Sequence, residues 1–307
     1  MSHPGVETII AFLTDSGFSA GTITEQRAVM AASADTPPEP GVRVEPATLG
    51  GRPAEWLWPE GDRPDPVILY LHGGGYCIGS MNTHRGVAGR LALAAHSTVA
   101  VLDYRLAPEH PFPAAVDDAT AAYADLVARG VPPARITIAG DSAGGGLTVA
   151  TLLALRRSGM ELPAAAACLS PWVDLTQSSP SYRSKADADP MVTAAGLDEM
   201  ARCYLGGEDA HNELASPLFA ADLSGLPPVL IEVGDREVLL DDAIRLADRI
   251  RDAGGAVALT VWPEMIHVFQ VFPAEVIPES AQSITAVGRF LAEHRGRAAG
   301  ASTGAGG

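Results

Sequence analysis

The chain has 307 residues, 47% of them hydrophobic, and a formal charge of −16 at pH 7. That length and apolar content suit one α/β core with insertions, and no apolar run approaches the roughly 20 residues that a spanning helix needs. The acidic balance opposes nucleic acid and anionic lipid, which are bound through clustered Lys and Arg, so a neutral or cationic small molecule is the expected partner.

The first segment, Met1 to Gly17, lacks a basic start, and its Ile9-to-Leu13 apolar run is shorter than the roughly 7–15 residues of a signal core. A cytoplasmic protein is expected. Cys77, Cys168 and Cys203 are too few and too scattered for a disulfide framework or a metal site, and read as reduced, mostly buried thiols.

Beyond about Pro40, short aliphatic and β-branched runs alternate with stretches of helical period, the pattern of a mostly parallel sheet with helices on both faces. The first predicted strands are Val42 to Pro46 and Ala54 to Trp58. The third, Val67 to Leu71, runs into His72-Gly73-Gly74-Gly75-Tyr76. Three glycines after a buried strand let the backbone turn N–H groups inward, where they can bond an oxygen that gains charge. Thr98 to Leu102 is the fourth strand, followed by a helix over Pro113 to Ala128.

The fifth strand, Arg135 to Ala139, meets a helix running from Gly144 to Arg157 through Gly140-Asp141-Ser142-Ala143-Gly144. A serine at such a strand-to-helix turn sits in a strained conformation that exposes its hydroxyl, and the flanking glycines avoid main-chain collisions. The helix N-terminus points its dipole at any negative charge formed there. A nucleotide loop is disfavoured, because neither G-x-x-x-x-G-K-[ST] nor G-x-G-x-x-G is present.

Ala165 to Leu169 is the sixth strand. The interval from Asp174 to Pro227 breaks the alternation, and Met191 to Leu205 within it reads as a helix, so it is expected to be an insertion over a pocket. Val229 to Val233 and Val257 to Trp262 complete eight strands, with helices at Leu239 to Ala253 and Glu279 to His294. The small-residue run Arg297 to Gly307 is expected to be disordered.

In chain order a base should follow the last strand. Of eight histidines His267 does so, whereas His294 lies on the final helix and His211 in the insertion. An acid should follow the seventh strand, where Asp235, Glu237, Asp241 and Asp242 all lie. Asp241 and Asp242 fit the first turn of the next helix. Asp235 and Glu237 both remain candidates on this ground.

His72-Gly-Gly-Gly-Tyr76, Tyr104-Arg-Leu-Ala-Pro-Glu-His-Pro-Phe-Pro-Ala114 and Gly140-Asp-Ser-Ala-Gly144 together resemble the hormone-sensitive-lipase family of bacterial esterases, over about Val67 to His294. The resemblance implies the α/β-hydrolase fold, with a core of residues 41–173 and 228–296 under a helical cap formed by residues 1–40 and 174–227. It implies Ser142 as nucleophile and His267 as base, and it favours Glu237 over Asp235, because Glu237-Val-Leu239 stands where the family usually shows Asp-Pro-Leu. It further implies oxyanion N–H groups from Gly74, Gly75 and Ala143, with His72, Gly73 and Asp141 in support and His110 structural.

The implied activity is hydrolysis of short to medium acyl esters with no metal or organic cofactor, with a homodimer possible. Lactone hydrolysis, deacetylation of a small metabolite, or a receptor role in the same fold are the alternatives.

Overall fold

The computed structural model describes residues 3–16, 21–33 and 38–296. Two helices, α1 (Pro4–Ser16) and α2 (Ile23–Ser33), precede the sheet. Strands β1 (Val42–Leu49), β2 (Arg52–Pro59) and β3 (Val67–Leu71) lead to α3 (Met81–Ala95), β4 (Thr98–Leu102) and α4 (Ala114–Ala128). Next come β5 (Ile136–Asp141), α5 (Ala143–Arg157), β6 (Ala165–Leu169), the single turn α6 (Ser181–Ser184) and α7 (Ala194–Leu205). The chain closes with β7 (Val229–Gly234), α8 (Leu240–Asp252), β8 (Val257–Trp262) and α9 (Pro278–His294).

The eight strands form one sheet in the order β1-β2-β4-β3-β5-β6-β7-β8, antiparallel at β1–β2 and β2–β4 and parallel elsewhere. All eight predicted strands are present. The fifth starts one residue late, because Pro133–Arg135 forms a 3-10 turn before it.

Strand periodicity divides the core. Leu69 and Leu71 face one layer of the core, with buried residues of α4, α5 and α8, while Ile68 and Tyr70 face the other, with α3 and α9. Both faces of β3 are buried, which is why that strand reads as an unbroken apolar run. α8 buries Ala243, Leu246, Ala247 and Ile250 along one stripe together with Asp242, and carries its other charges away from it.

α3 is absent from the predicted elements, since Thr83, His84, Arg85 and Gly86 interrupt any apolar stripe at its start. Its N-terminus is set instead by a capping box: Ser80 Oγ accepts from Thr83 N–H, and Thr83 Oγ1 accepts from Ser80 N–H. The helix predicted over Met191 to Leu205 begins at Ala194, with Thr193 as N-cap. The tail from Arg297 lies outside the described residues. Among these, no helix is long and apolar enough to cross a membrane.

Candidate active site

Strand β5 ends at Asp141, and Ser142 takes φ 53° and ψ −120° before α5 begins. That conformation is unfavourable for a residue bearing a Cβ, and the surroundings enforce it. The Ser142 N–H donates to Leu169 O at 2.8 Å, and Ser142 O accepts from Trp172 N–H at 2.9 Å. The flanking glycines are a packing requirement: a Cβ on Gly140 would lie 2.3 Å from Gly144 O, and one on Gly144 would lie 1.9 Å from Leu71 O.

His267 comes from the loop after β8. Its Nε2 lies 2.9 Å from Ser142 Oγ, and its Nδ1 lies 2.8 Å from Glu237 Oε2. A carboxylate only accepts, so Nδ1 carries the proton and the Nε2 lone pair faces the serine hydroxyl. Burial works against a charged ring here, yet the hydrogen bond and charge of Glu237 outweigh it and raise the His267 pKa above its ordinary value.

Glu237 is fully buried, and its other oxygen, Oε1, accepts from Ser170 Oγ at 2.7 Å and Gly234 N–H at 2.5 Å. Ser170 Oγ in turn accepts from Val268 N–H at 3.2 Å, so this hydroxyl ties the acid to the backbone beside the histidine. Asp235, the other candidate acid, accepts from Glu264 N–H at 2.8 Å and closes the turn after β8. The structure thus brings Glu237, and not Asp235, to the imidazole.

Asp241 and Asp242 occupy the first turn of α8 as expected, and they also hold residues 173–182. Buried Asp242 accepts from Val173 and Asp174 N–H and from the hydroxyls of Ser179 and Tyr182. Burial pushes its pKa up to about 7. His211 lies exposed in the insertion, and His294 bonds Phe290 O within α9.

Opposite the serine lies the glycine loop. Gly74 has φ 110° and Gly75 φ 58°, backbone that glycine adopts without strain. Gly74 O accepts from the N–H groups of Cys77 and Ile78, which closes the loop and leaves the Gly74 and Gly75 N–H groups uncommitted to other described residues. Ala143, the first residue of α5, offers one of that helix's unpaired N–H groups. A Cβ on Gly75 would lie 2.0 Å from Met200 Sδ, so α7 presses against this loop.

His72 donates from Nδ1 to Gly73 O at 2.8 Å and stacks on Tyr104 at 4.2 Å between ring centroids. Burial, reinforced by the charge of His84, holds its pKa down to about 3, so it is neutral.

Ser142 and His267 open into a cavity of about 430 Å³. Its walls are mainly apolar, with Phe12 and Leu13 of α1, Val29 and Met30 of α2, and Leu197 and Met200 of α7 among them. α1 also packs through Val6, Ile9 and Leu13 onto Met265, Ile266 and Phe269 of the His267 loop. Arg27 of α2 reaches Cys77 O and Ala107 O, each at 2.7 Å, and both carboxylate oxygens of Glu109. No group of three or more His, Cys, Asp or Glu is placed to hold a metal ion among the described residues.

A family profile described as the alpha/beta hydrolase fold matches residues 68–271. The chain belongs to the α/β-hydrolase family. A crystal structure of an esterase from the bacterial hormone-sensitive lipase family matches this hydrolase at TM-score 0.91 and 45% identity, covering 96% of this chain and 100% of the other, and places it in that branch.

Among relatives of the hydrolase, an acetyl-hydrolase of Streptomyces hygroscopicus is 48% identical over 80% of this chain and 81% of its own. The carboxylesterase NlhH of Mycobacterium tuberculosis is 35% identical over 95% of this chain and 96% of its own. Sequence reasoning about this hydrolase missed Ser170 and His84. Neither stands in a motif that marks it, and each acquires its partners only when separate strands and helices meet.

Proposed function

We propose that this carboxylic ester hydrolase acts through an acyl-enzyme on Ser142. The observation that carries the reading is the chain of contacts Ser142–His267–Glu237, at 2.9 and 2.8 Å, at the floor of the cavity. His267 takes the hydroxyl proton through Nε2 as Ser142 Oγ attacks the ester carbonyl carbon. Glu237 holds the ring in the required tautomer and stabilises the imidazolium. The N–H groups of Gly74, Gly75 and Ala143 receive the oxyanion, aided by the positive end of α5. The tetrahedral centre collapses as His267 gives its proton to the leaving alcohol, and water then repeats the sequence on the acyl group.

Residues 1–40 and 174–227 act as a cap over the core of residues 41–173 and 228–296, a role supported by the α1, α2 and α7 side chains that line the cavity. Among the described residues the cavity is lined by no Lys or Arg, which favours uncharged acyl groups of short to medium length. The name acetyl-hydrolase, borne by the Streptomyces relative, favours the short end of that range.

Turnover of p-nitrophenyl esters of graded acyl length, by wild type and by Ser142→Ala, tests the reading. Loss of the serine is expected to lower kcat by about 10⁴-fold or more. A folded Ser142→Ala protein that keeps more than about a hundredth of the activity excludes a serine nucleophile at this position.

A further inference from the structure

Beside the serine lies a second buried histidine–carboxylate pair for which the mechanism above has no use. His84, in the first turn of α3, is 5% exposed, and Asp141 is 2% exposed. His84 Nε2 lies 3.3 Å from Asp141 Oδ2. Its Nδ1 lies 3.3 Å from Ser80 O and 2.8 Å from Thr83 Oγ1, and the Thr83 hydroxyl, itself 2.9 Å from Ser80 O, gives its proton to that carbonyl when Nδ1 is protonated.

A carbonyl and a carboxylate only accept, so each ring nitrogen faces an oxygen that asks for an N–H. A ring that donates at both nitrogens is an imidazolium; a neutral ring keeps Nε2–H on Asp141 and takes the Thr83 hydroxyl proton at Nδ1. Burial opposes the charge, and Asp141, through its charge and hydrogen bond, outweighs burial and raises the His84 pKa.

Asp141 passes this arrangement to the glycine loop. Its Oδ1 accepts from Tyr70 OH at 2.8 Å and from Gly73 N–H at 3.1 Å. The loop rests directly on the carboxylate, since a Cβ on Gly73 would lie 2.2 Å from Asp141 Oδ2. The Gly73 N–H also lies 3.3 Å from His84 Nε2, a contact that becomes a hydrogen bond only when that nitrogen has lost its proton.

Two further titratable rings neighbour His84. Tyr70 from β3, 6.4 Å away between ring centroids, is kept neutral by burial, and His72, which follows β3, is neutral 5.4 Å away. The charge facing His84 is therefore the Asp141 carboxylate.

We propose that His84 is a positioning residue for ester hydrolysis: as an imidazolium it pins Asp141, and through Asp141 it sets the Gly73-Gly74-Gly75 loop. The inference rests on the reading of Gly74 and Gly75 as oxyanion donors. Loss of the His84 proton, where it leaves from Nε2, frees that nitrogen to compete for the Gly73 N–H. It also leaves the Asp141 charge unbalanced next to the nucleophile, where negative charge must develop on the substrate. A raised pKa means that the proton is fully present below the ordinary value of 6.5 and is lost as pH rises through the raised one, so activity falls on the alkaline side.

The test compares wild type and His84→Gln on p-nitrophenyl butyrate across pH, with kcat and KM resolved. Near neutrality the variant is expected to lose about ten- to hundredfold in kcat with KM changed less than about threefold, and to lack the alkaline fall that wild type shows. A purely structural role would lower kcat and leave that fall in place. An alkaline limb that persists in the variant overturns the proposal.

The ring itself gives a second readout that needs no variant and no turnover: ¹⁵N chemical shifts of the wild-type histidines. Both His84 nitrogens are expected to be protonated at about pH 6 and one to lose its proton over the range where kcat declines. A singly protonated His84 ring at that pH overturns the proposal. Persistent activity of Ser142→Ala would instead sink the serine mechanism and leave this ring measurement standing.

Discussion

Two histidine–carboxylate pairs lie on either side of Ser142, and they differ in what the second ring nitrogen faces. In His267–Glu237 one nitrogen is bonded to the acid and the other meets a hydroxyl, a group that can surrender a proton. In His84–Asp141 one nitrogen is bonded to the acid and the other lies 2.8 Å from Thr83 Oγ1 and 3.3 Å from Ser80 O. The first pair has the nucleophile on its far side, and the second has a helix-capping threonine and a main-chain carbonyl. A carboxylate beside a histidine is thus no sign of acid–base work on its own; the far side of the ring decides.

Breaking the first pair should have the larger effect. Glu237→Gln places an amide where Ser170 Oγ and Gly234 N–H both donate, and it removes the charge that favours the imidazolium. We expect kcat to drop by roughly 10³–10⁴-fold with little change in KM, and Asp235→Asn to stay within about tenfold of wild type in the same steady-state assay. The reverse ranking would transfer the acid's role to Asp235.

Asp141→Asn attacks the second pair from its other partner. It removes the charge that His84 balances but keeps an oxygen for Gly73, so the loop is loosened rather than lost. A fall of about ten- to hundredfold in kcat is expected, with acylation slowed but still detectable when enzyme is mixed with excess ester. Abolition of acylation would mean that Asp141 takes part in proton transfer itself.

The smallest effect comes from pH alone. His267 must be neutral to accept a proton, and its pKa is raised. The acid limb of kcat/KM should therefore have its midpoint above the ordinary histidine value of 6.5, and Glu237→Gln should move that midpoint down. A midpoint below 6.5 would show that burial outweighs the acid.

Much of this was legible in the chain. Parallel strands covered on both faces read as aliphatic runs, so β3 to β7 stand out, and the glycines around Ser142 mark the turn because any side chain there would strike main chain. Glu237 was favoured by register, and the structure supplies the physical reason for its position: Ser170 and Gly234 reach its second oxygen from two different segments. α3 was illegible because a capping box and buried polar residues define its start, where pattern reading looks for apolar spacing. His84 was illegible for a related reason. Its meaning lies in Asp141, 57 residues away, and in a carbonyl one helical turn back.

The contact between α1 and the His267 loop ties two design problems together. Val6, Ile9 and Leu13 cover Met265, Ile266 and Phe269, while Leu13 and its neighbour Phe12 form part of the cavity wall. The doorway for substrate and the foundation of the base share one apolar seam. Shaving that seam to admit bulkier esters would also strip cover from the segment that aims the imidazole, so gains in scope would be paid in turnover.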